Sequence, residues 1–205
     1  MNSGKPKLVV LISGGGTNLQ ALIDAINAGV LEAEIGLVVS NRKDAYGLER
    51  AKNAKLETLY APLKPYRDAG KIREEYDADL ALSLAKFEPD LIVQAGWMHI
   101  LSPAFLEKFP RRVINLHPAL PGEFDGANAI VRAWEAHKKS NLERTGAMIH
   151  WVIPKVDAGE VIISREIEFL ENDTFDSFEA RLHSVEHLLI VEGTRRALES
   201  RKPSQ

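Results

Sequence analysis

The chain has 205 residues, 45% hydrophobic and 27% charged, the balance of a globular protein with a buried core, and its length favours one domain. A formal net charge of −3 argues against nucleic acid as the main partner, because phosphate backbones are bound by a basic surplus. There is no cysteine, so disulfides, thiolate metal sites and cysteine nucleophiles are excluded, and no run approaches the roughly 20 apolar residues that span a membrane.

The basic start, residues 1–7, has the charge of a signal-peptide head, but the apolar run behind it, residues 8–12, is too short for one. That run is continuous and β-rich, as in a strand buried on both faces. The turn Ser13-Gly14-Gly15-Gly16-Thr17 follows, then a helix with Leu19, Leu22, Ile23 and Ile26 at helical spacing and Gly29 as its stop. A strand over 35–39, a short helix over 45–53 and a strand over 57–60 come next. A polar loop around Pro62-Leu63-Lys64-Pro65, a helix over 72–87 and a buried strand over 90–95 complete the first half. This alternation predicts a parallel sheet with helices on both faces.

The second half reads as a strand over 112–117, a Pro- and Gly-bearing loop over 118–126 and a helix over 129–137. Strands over 147–153 and 160–167 are joined by so short a connection that antiparallel neighbours are expected. A long helix over 174–198 presents Phe175, Phe178, Leu182, Val185 and Leu189 as a seam for the sheet. Nothing divides the chain, so a single domain over 1–205 is expected, with disordered ends at 1–7 and 199–205. The absence of targeting signals points to a cytoplasmic protein.

A strand, a glycine turn and a helix together make an anion site, because backbone N–H groups and the helix dipole converge there. A Walker A loop would need Gly-Lys-Ser/Thr, but Gly16 is followed by Thr17-Asn18. A dinucleotide fingerprint would need a third glycine where Leu19 stands, and an acid where the second strand runs into Ser40-Asn41-Arg42. Two readings remain, a single-phosphate site with Gly16, Thr17 and Asn18 as donors, or a turn that only connects.

Alternation along Val113-Ile114-Asn115-Leu116-His117 places Asn115 and His117 on one face at a strand end, about 7 Å apart. An amide and an imidazole so placed suit an oxyanion site with an acid–base partner. The plain alternative is a polar pair satisfied by loop backbone. His150 shares a face with Met148 and Val152, near the site or in the core. His99 and His137 read as surface or loop residues by default, and His183 and His187 lack a third metal ligand. Asp157, before Ala158-Gly159, reads as a turn residue.

Taken together, Leu11-Ile12-Ser13-Gly14-Gly15-Gly16-Thr17-Asn18-Leu19-Gln20, Ser40-Asn41, Ala45-Tyr46-Gly47-Leu48, Ala95-Gly96-Trp97-Met98-His99-Ile100-Leu101-Ser102, Asn115-Leu116-His117-Pro118-Ala119-Leu120 and Val156-Asp157-Ala158-Gly159 resemble the motifs of the phosphoribosylglycinamide formyltransferases (GAR transformylases), folate-dependent formyltransferases. The similarity runs over about residues 8–198. It implies a Rossmann-like, mostly parallel sheet with an antiparallel strand in the C-terminal half. It implies transfer of a formyl group from 10-formyltetrahydrofolate to glycinamide ribonucleotide in purine synthesis, without a metal. Asn115, His117 and Asp157 would be catalytic, with a protonated His117 beside the oxyanion. Gly16, Thr17, Asn18 and Glu186 would bind the ribonucleotide. Arg73, Met98, His99, Ile100, Leu101, Asn115, Ile153 and Val156 would bind the folate. His99 stands where many relatives carry Arg, and Asn128 where a His is usual. Small-molecule substrates are the expected partners, with no nucleic acid or membrane, in a monomer or homodimer. The alternatives are a formyltetrahydrofolate hydrolase, less favoured because an additional N-terminal domain would be expected, and a non-catalytic phosphate-binding module.

Overall fold

The computed structural model describes residues 4–201; residues 1–3 and 202–205, the outer parts of the expected disordered ends, lie outside the described residues. β1 (Lys7–Ile12) leads to α1 (Thr17–Asn27), β2 (Glu34–Ser40) to α2 (Tyr46–Asn53), and β3 (Thr58–Tyr60) to α3 (Lys64–Asp68) and α4 (Arg73–Ala85). β4 (Leu91–Gln94), α5 (Pro103–Leu106), β5 (Val113–His117), α6 (Ala129–Ser140), β6 (Arg144–Trp151), β7 (Val161–Glu168) and α7 (Phe175–Glu199) follow.

The strands form one sheet in the order β3-β2-β1-β4-β5-β6-β7. β1 to β5 are parallel, and β6 runs antiparallel to both β5 and β7. This is the mostly parallel sheet with a reversed C-terminal strand that the sequence predicts. Leu8 to Ile12 are all 0% exposed because both faces are covered. Leu19 and Leu22 of α1 and Phe178, Leu182 and Leu189 of α7 pack against one face. Tyr76, Leu80 and Leu84 of α4 and Phe105 of α5 pack against the other. Each such side chain contributes about 1.5–3 kcal/mol by leaving water.

Three local readings need correction. The polar loop around Pro62-Leu63-Lys64-Pro65 winds into α3, whose first turn accommodates Pro65 because no N–H is needed there. The helix expected over 72–87 is shorter, starting at Arg73 with Glu75 Oε2 accepting from the Ile72 N–H at 3.0 Å. At the N-terminus β1 already includes Lys7, whose N–H donates to Asp90 Oδ2 at 2.7 Å. α7 likewise includes Glu199, so ordered structure reaches into both ends expected to be disordered.

β1 and β4 are adjacent, and the chain order reverses between them. In such sheets ligands settle beyond the carboxyl ends of the strands at that switch point. The ends of β1, β4 and β5 here carry Ser13 to Thr17, Gly96 to Leu101, and Asn115 with His117.

Candidate active site

On β5, Ile114 and Leu116 belong to the core shared with α1 and α7, whereas Val113 faces the α4 side. Alternation therefore turns Asn115 and His117 to the α4 side, where they line a cavity of about 360 Å³. Antiparallel pairing sets His150 of β6 opposite Asn115 and Met148 opposite His117. His150 is thus a wall of the site, 2% exposed, with Nδ1 3.0 Å from the Trp151 carbonyl oxygen and Nε2 3.2 Å from Asn115 Nδ2. The Trp151 carbonyl only accepts, so Nδ1 donates to it, while Nε2 faces both Asn115 Nδ2 and Asp157 Oδ1.

Asp157 joins them. Its Oδ2 lies 3.3 Å from His117 Nδ1 and accepts from the Gly126 N–H at 2.8 Å. Its Oδ1 accepts from Asn115 Nδ2 at 3.3 Å and lies 3.4 Å from His150 Nε2. The loop that delivers it is tightly held. Asp157 itself has φ +49°, an uncommon backbone for a non-glycine residue. A Cβ on Gly159 would fall 1.7 Å from the Trp151 carbonyl oxygen, so only glycine lets this loop close on β6. Gly159→Ala is expected to displace Asp157 and lower both the melting temperature and turnover; an unchanged turnover would detach the loop from the site. Across the cavity, Arg132 clamps the loop that supplies Gly126, donating to the carbonyls of Phe124 and Asp125. Neither Arg132 nor His150 carries a sequence signature for these tasks.

Burial pushes Asp157 up, but the His150 hydrogen bond, the Gly126 N–H and the charges of both histidines bring it below the usual carboxylate range. For His117, burial is the largest influence and lowers the imidazole below its ordinary 6.5, against the Asp157 charge that raises it. Desolvation therefore works against the imidazolium that the resemblance implies, and the Asp157 charge works for it. Its Nε2 is buried and makes no hydrogen bond of normal geometry among the described residues. An NMR titration should place the His117 midpoint below 6.5, and Asp157→Asn should move it lower still by removing the main opposing charge. A midpoint above 6.5 would contradict the burial argument. The linkage has the matching sign. The unfolded chain gains a proton near 6.5 and the buried ring does not, so this residue withdraws stability as pH falls below that value.

The remaining expected residues distribute around this centre. Met98, Ile100, Leu101, Ile153 and Val156 line the same cavity, and with Val152 they make most of its wall apolar. Arg73 lines a neighbouring cavity of about 290 Å³ with Arg67 and Lys71, which meets the first at Met98, His99 and Ile100. His99 departs from its default surface reading. Its side chain is 7% exposed and turns inward, Nε2 lying 2.7 Å from Asp77 Oδ1.

Gly16, Thr17 and Asn18 sit at the start of α1, with Gly16 at φ +70°. A Cβ on Gly16 would meet Gly47 Cα at 2.6 Å, which explains the glycine at both positions. Asn18 Nδ2 donates to Glu186 Oε2 at 3.1 Å, so the middle of α7 is bonded to the start of α1. Burial raises the Glu186 carboxyl, with the His183 charge and the Asn18 bond opposing. Arg50 flanks the loop, Nε donating to the Gly15 carbonyl at 2.8 Å, a contact that no motif announced. His187 is lowered by burial, then by the charges of His183 and Arg50. Among the described residues no group of three or more His, Cys, Asp or Glu side chains is placed to hold a metal, and no helix is long and apolar enough to cross a membrane.

The family model for formyl transferase matches residues 6–194. The chain is 47% identical to the phosphoribosylglycinamide formyltransferase of Schizosaccharomyces pombe, over 95% of this chain and 98% of that protein. It is 37% identical to the Escherichia coli protein of the same name, over 89% and 82%. A solved glycinamide ribonucleotide transformylase from Symbiobacterium toebii superposes with a TM-score of 0.89 at 34% identity, covering 100% of this chain and 92% of that one.

Proposed function

The chain belongs to the formyl transferase family, and from that premise we propose that it moves the formyl group of 10-formyltetrahydrofolate to the amine of glycinamide ribonucleotide, a cytoplasmic step of purine synthesis carried out by a single domain. The observation that carries this reading is the meeting of His117 Nδ1 and Asp157 Oδ2 at 3.3 Å, with Asn115 bonded to the same carboxylate, on the edge of a mainly apolar cavity. An apolar slot with few convergent polar groups suits a flat heterocycle whose one reactive carbon must meet those groups. Met98, Ile100, Leu101, Ile153 and Val156 fit that ring system, and Arg73 fits a carboxylate at its tail. The free N–H groups at the start of α1 fit the ribonucleotide phosphate, and buried Glu186 beside Asn18 fits a ribose hydroxyl.

The amine nitrogen forms a bond to the formyl carbon, and negative charge gathers on the formyl oxygen. Neutral His117, with Nδ1 3.3 Å from Asp157 Oδ2, leaves Nε2 to take the proton that the attacking amine must shed. The imidazolium formed is stabilised by Asp157 and lies beside the oxyanion, so the protonated ring expected from sequence arises during the reaction. Both N–H bonds of Asn115 Nδ2 are long, 3.2 and 3.3 Å, and one can be exchanged for a shorter bond to the charged oxygen. Collapse breaks the carbon–N10 bond, and the proton held by His117 passes to N10. One proton moves from amine to leaving nitrogen, and the enzyme returns to its starting form.

Steady-state release of tetrahydrofolate from 10-formyltetrahydrofolate tests the reading. Release should require glycinamide ribonucleotide and match formylated product one for one. Release that ignores the ribonucleotide would identify a hydrolase instead.

A further inference from the structure

The segment Gly96 to Ser102 separates the two neighbouring cavities and presents Met98 and Ile100 at 69% and 51% exposure. Side chains this exposed do not fix the backbone by their own packing. It is fixed from behind by two buried polar anchors. Ser13, at the end of β1, donates its N–H to the Gly96 carbonyl at 2.9 Å, while its hydroxyl accepts from the Met98 N–H at 2.8 Å and donates to Asn41 Oδ1 at 2.7 Å.

The second anchor is Asp77 of α4, 0% exposed and lining neither cavity. Its Oδ2 accepts from the Ser102 N–H at 2.8 Å and its Oδ1 meets His99 Nε2 at 2.7 Å. The His99 ring stands edge-on to Tyr76 and Trp97, at 5.3 and 6.2 Å between centroids, which fixes its plane. A buried carboxylate–imidazole pair is a poor way to gain stability, since apolar residues of equal volume often stabilise more. What it does supply is direction. Two short bonds from one rigid helix set where residues 99 and 102 sit, and therefore the shape of the wall between them.

We propose that Asp77 and His99 are positioning residues for the formyl donor, holding residues 98–101 in the form that grips it. This rests on the reading that the larger cavity takes formyl-folate. It also gives the histidine at position 99 a task directed away from the ligand.

Steady-state kinetics of the full chain test it with Asp77→Asn, His99→Leu and His99→Gln, varying each substrate in turn. Asp77→Asn and His99→Leu should raise the KM for 10-formyltetrahydrofolate about tenfold, with kcat and the ribonucleotide KM within about twofold of wild type. His99→Gln, which keeps a donor facing Asp77, should restore most of the lost affinity. Variants that melt earlier but keep the wild-type folate KM would overturn the proposal, as would equal losses with Gln and Leu. Should Asp77→Asn fail to fold, the Leu and Gln pair still decides. Failure of wild type to transfer formyl from folate is a separate result, and it would overturn the functional reading itself.

Discussion

Asp157→Asn is expected to reduce kcat by about 10³-fold while the KM for the formyl donor stays within about threefold. The change preserves volume, but the carboxylate serves four neighbours at once: His117, Gly126, Asn115 and His150. An amide must turn its NH₂ toward one pair of them, where it meets the Gly126 N–H or the Asn115 N–H and can bond to neither. The larger loss is electrostatic. With Asp157 absent the largest influence opposing burial is lost, only the Glu123 backbone hydrogen bond and the Asp125 charge still raise His117, and the imidazolium that must form becomes costlier. A 10³-fold effect corresponds to about 4 kcal/mol of barrier, within reach of one buried charge acting on another. The folate KM is insulated because the cavity wall is mostly other residues. Turnover within a few-fold of wild type would remove Asp157 from the chemistry.

His117→Ala should cost a comparable 10²- to 10⁴-fold in kcat/KM, and the double variant His117→Ala with Asp157→Asn little more than the worse single one. In this account Asp157 acts through the ring: it orients Nδ1 and stabilises the charge that the ring acquires. Once the ring is gone that function has no object. A complete cycle of kcat/KM values for wild type, both singles and the double measures this directly. Losses that multiply would mean that Asp157 handles a proton without the imidazole. Thermal melts of the same proteins separate this from partial unfolding, since both side chains are nearly buried.

Strand alternation made the pairing of Asn115 with His117 legible, because one face of β5 is a local property. It also put His150 on the same face as Met148 and Val152. What alternation cannot supply is register: only the pairing of β5 with β6 brings His150 directly opposite Asn115. Asp157 was accessible solely through resemblance, since its place depends on the close approach of Gly159 to β6 across the sheet edge. The burial of the His99 side chain is hidden for a similar reason. A loop histidine reads as exposed until a carboxylate 22 positions earlier, on a helix packed behind the loop, is seen to receive it. The lowering of His117 by burial is not legible in the sequence, which shows which charges exist but not how much water a site excludes. Among the elements, α3 was hidden by prolines that mark loops and helix starts alike, whereas the long apolar periodicity of α7 left little ambiguity.

The most direct test of the central claim is a single turnover with enzyme in excess and the formyl carbon of 10-formyltetrahydrofolate isotopically labelled. With glycinamide ribonucleotide present, the label should pass quantitatively to the ribonucleotide amine, and the Asp157→Asn protein should do the same at a rate lower by about 10³-fold. Label recovered as formate, or transferred equally fast by the variant, would contradict a reaction centre built on Asn115, His117 and Asp157.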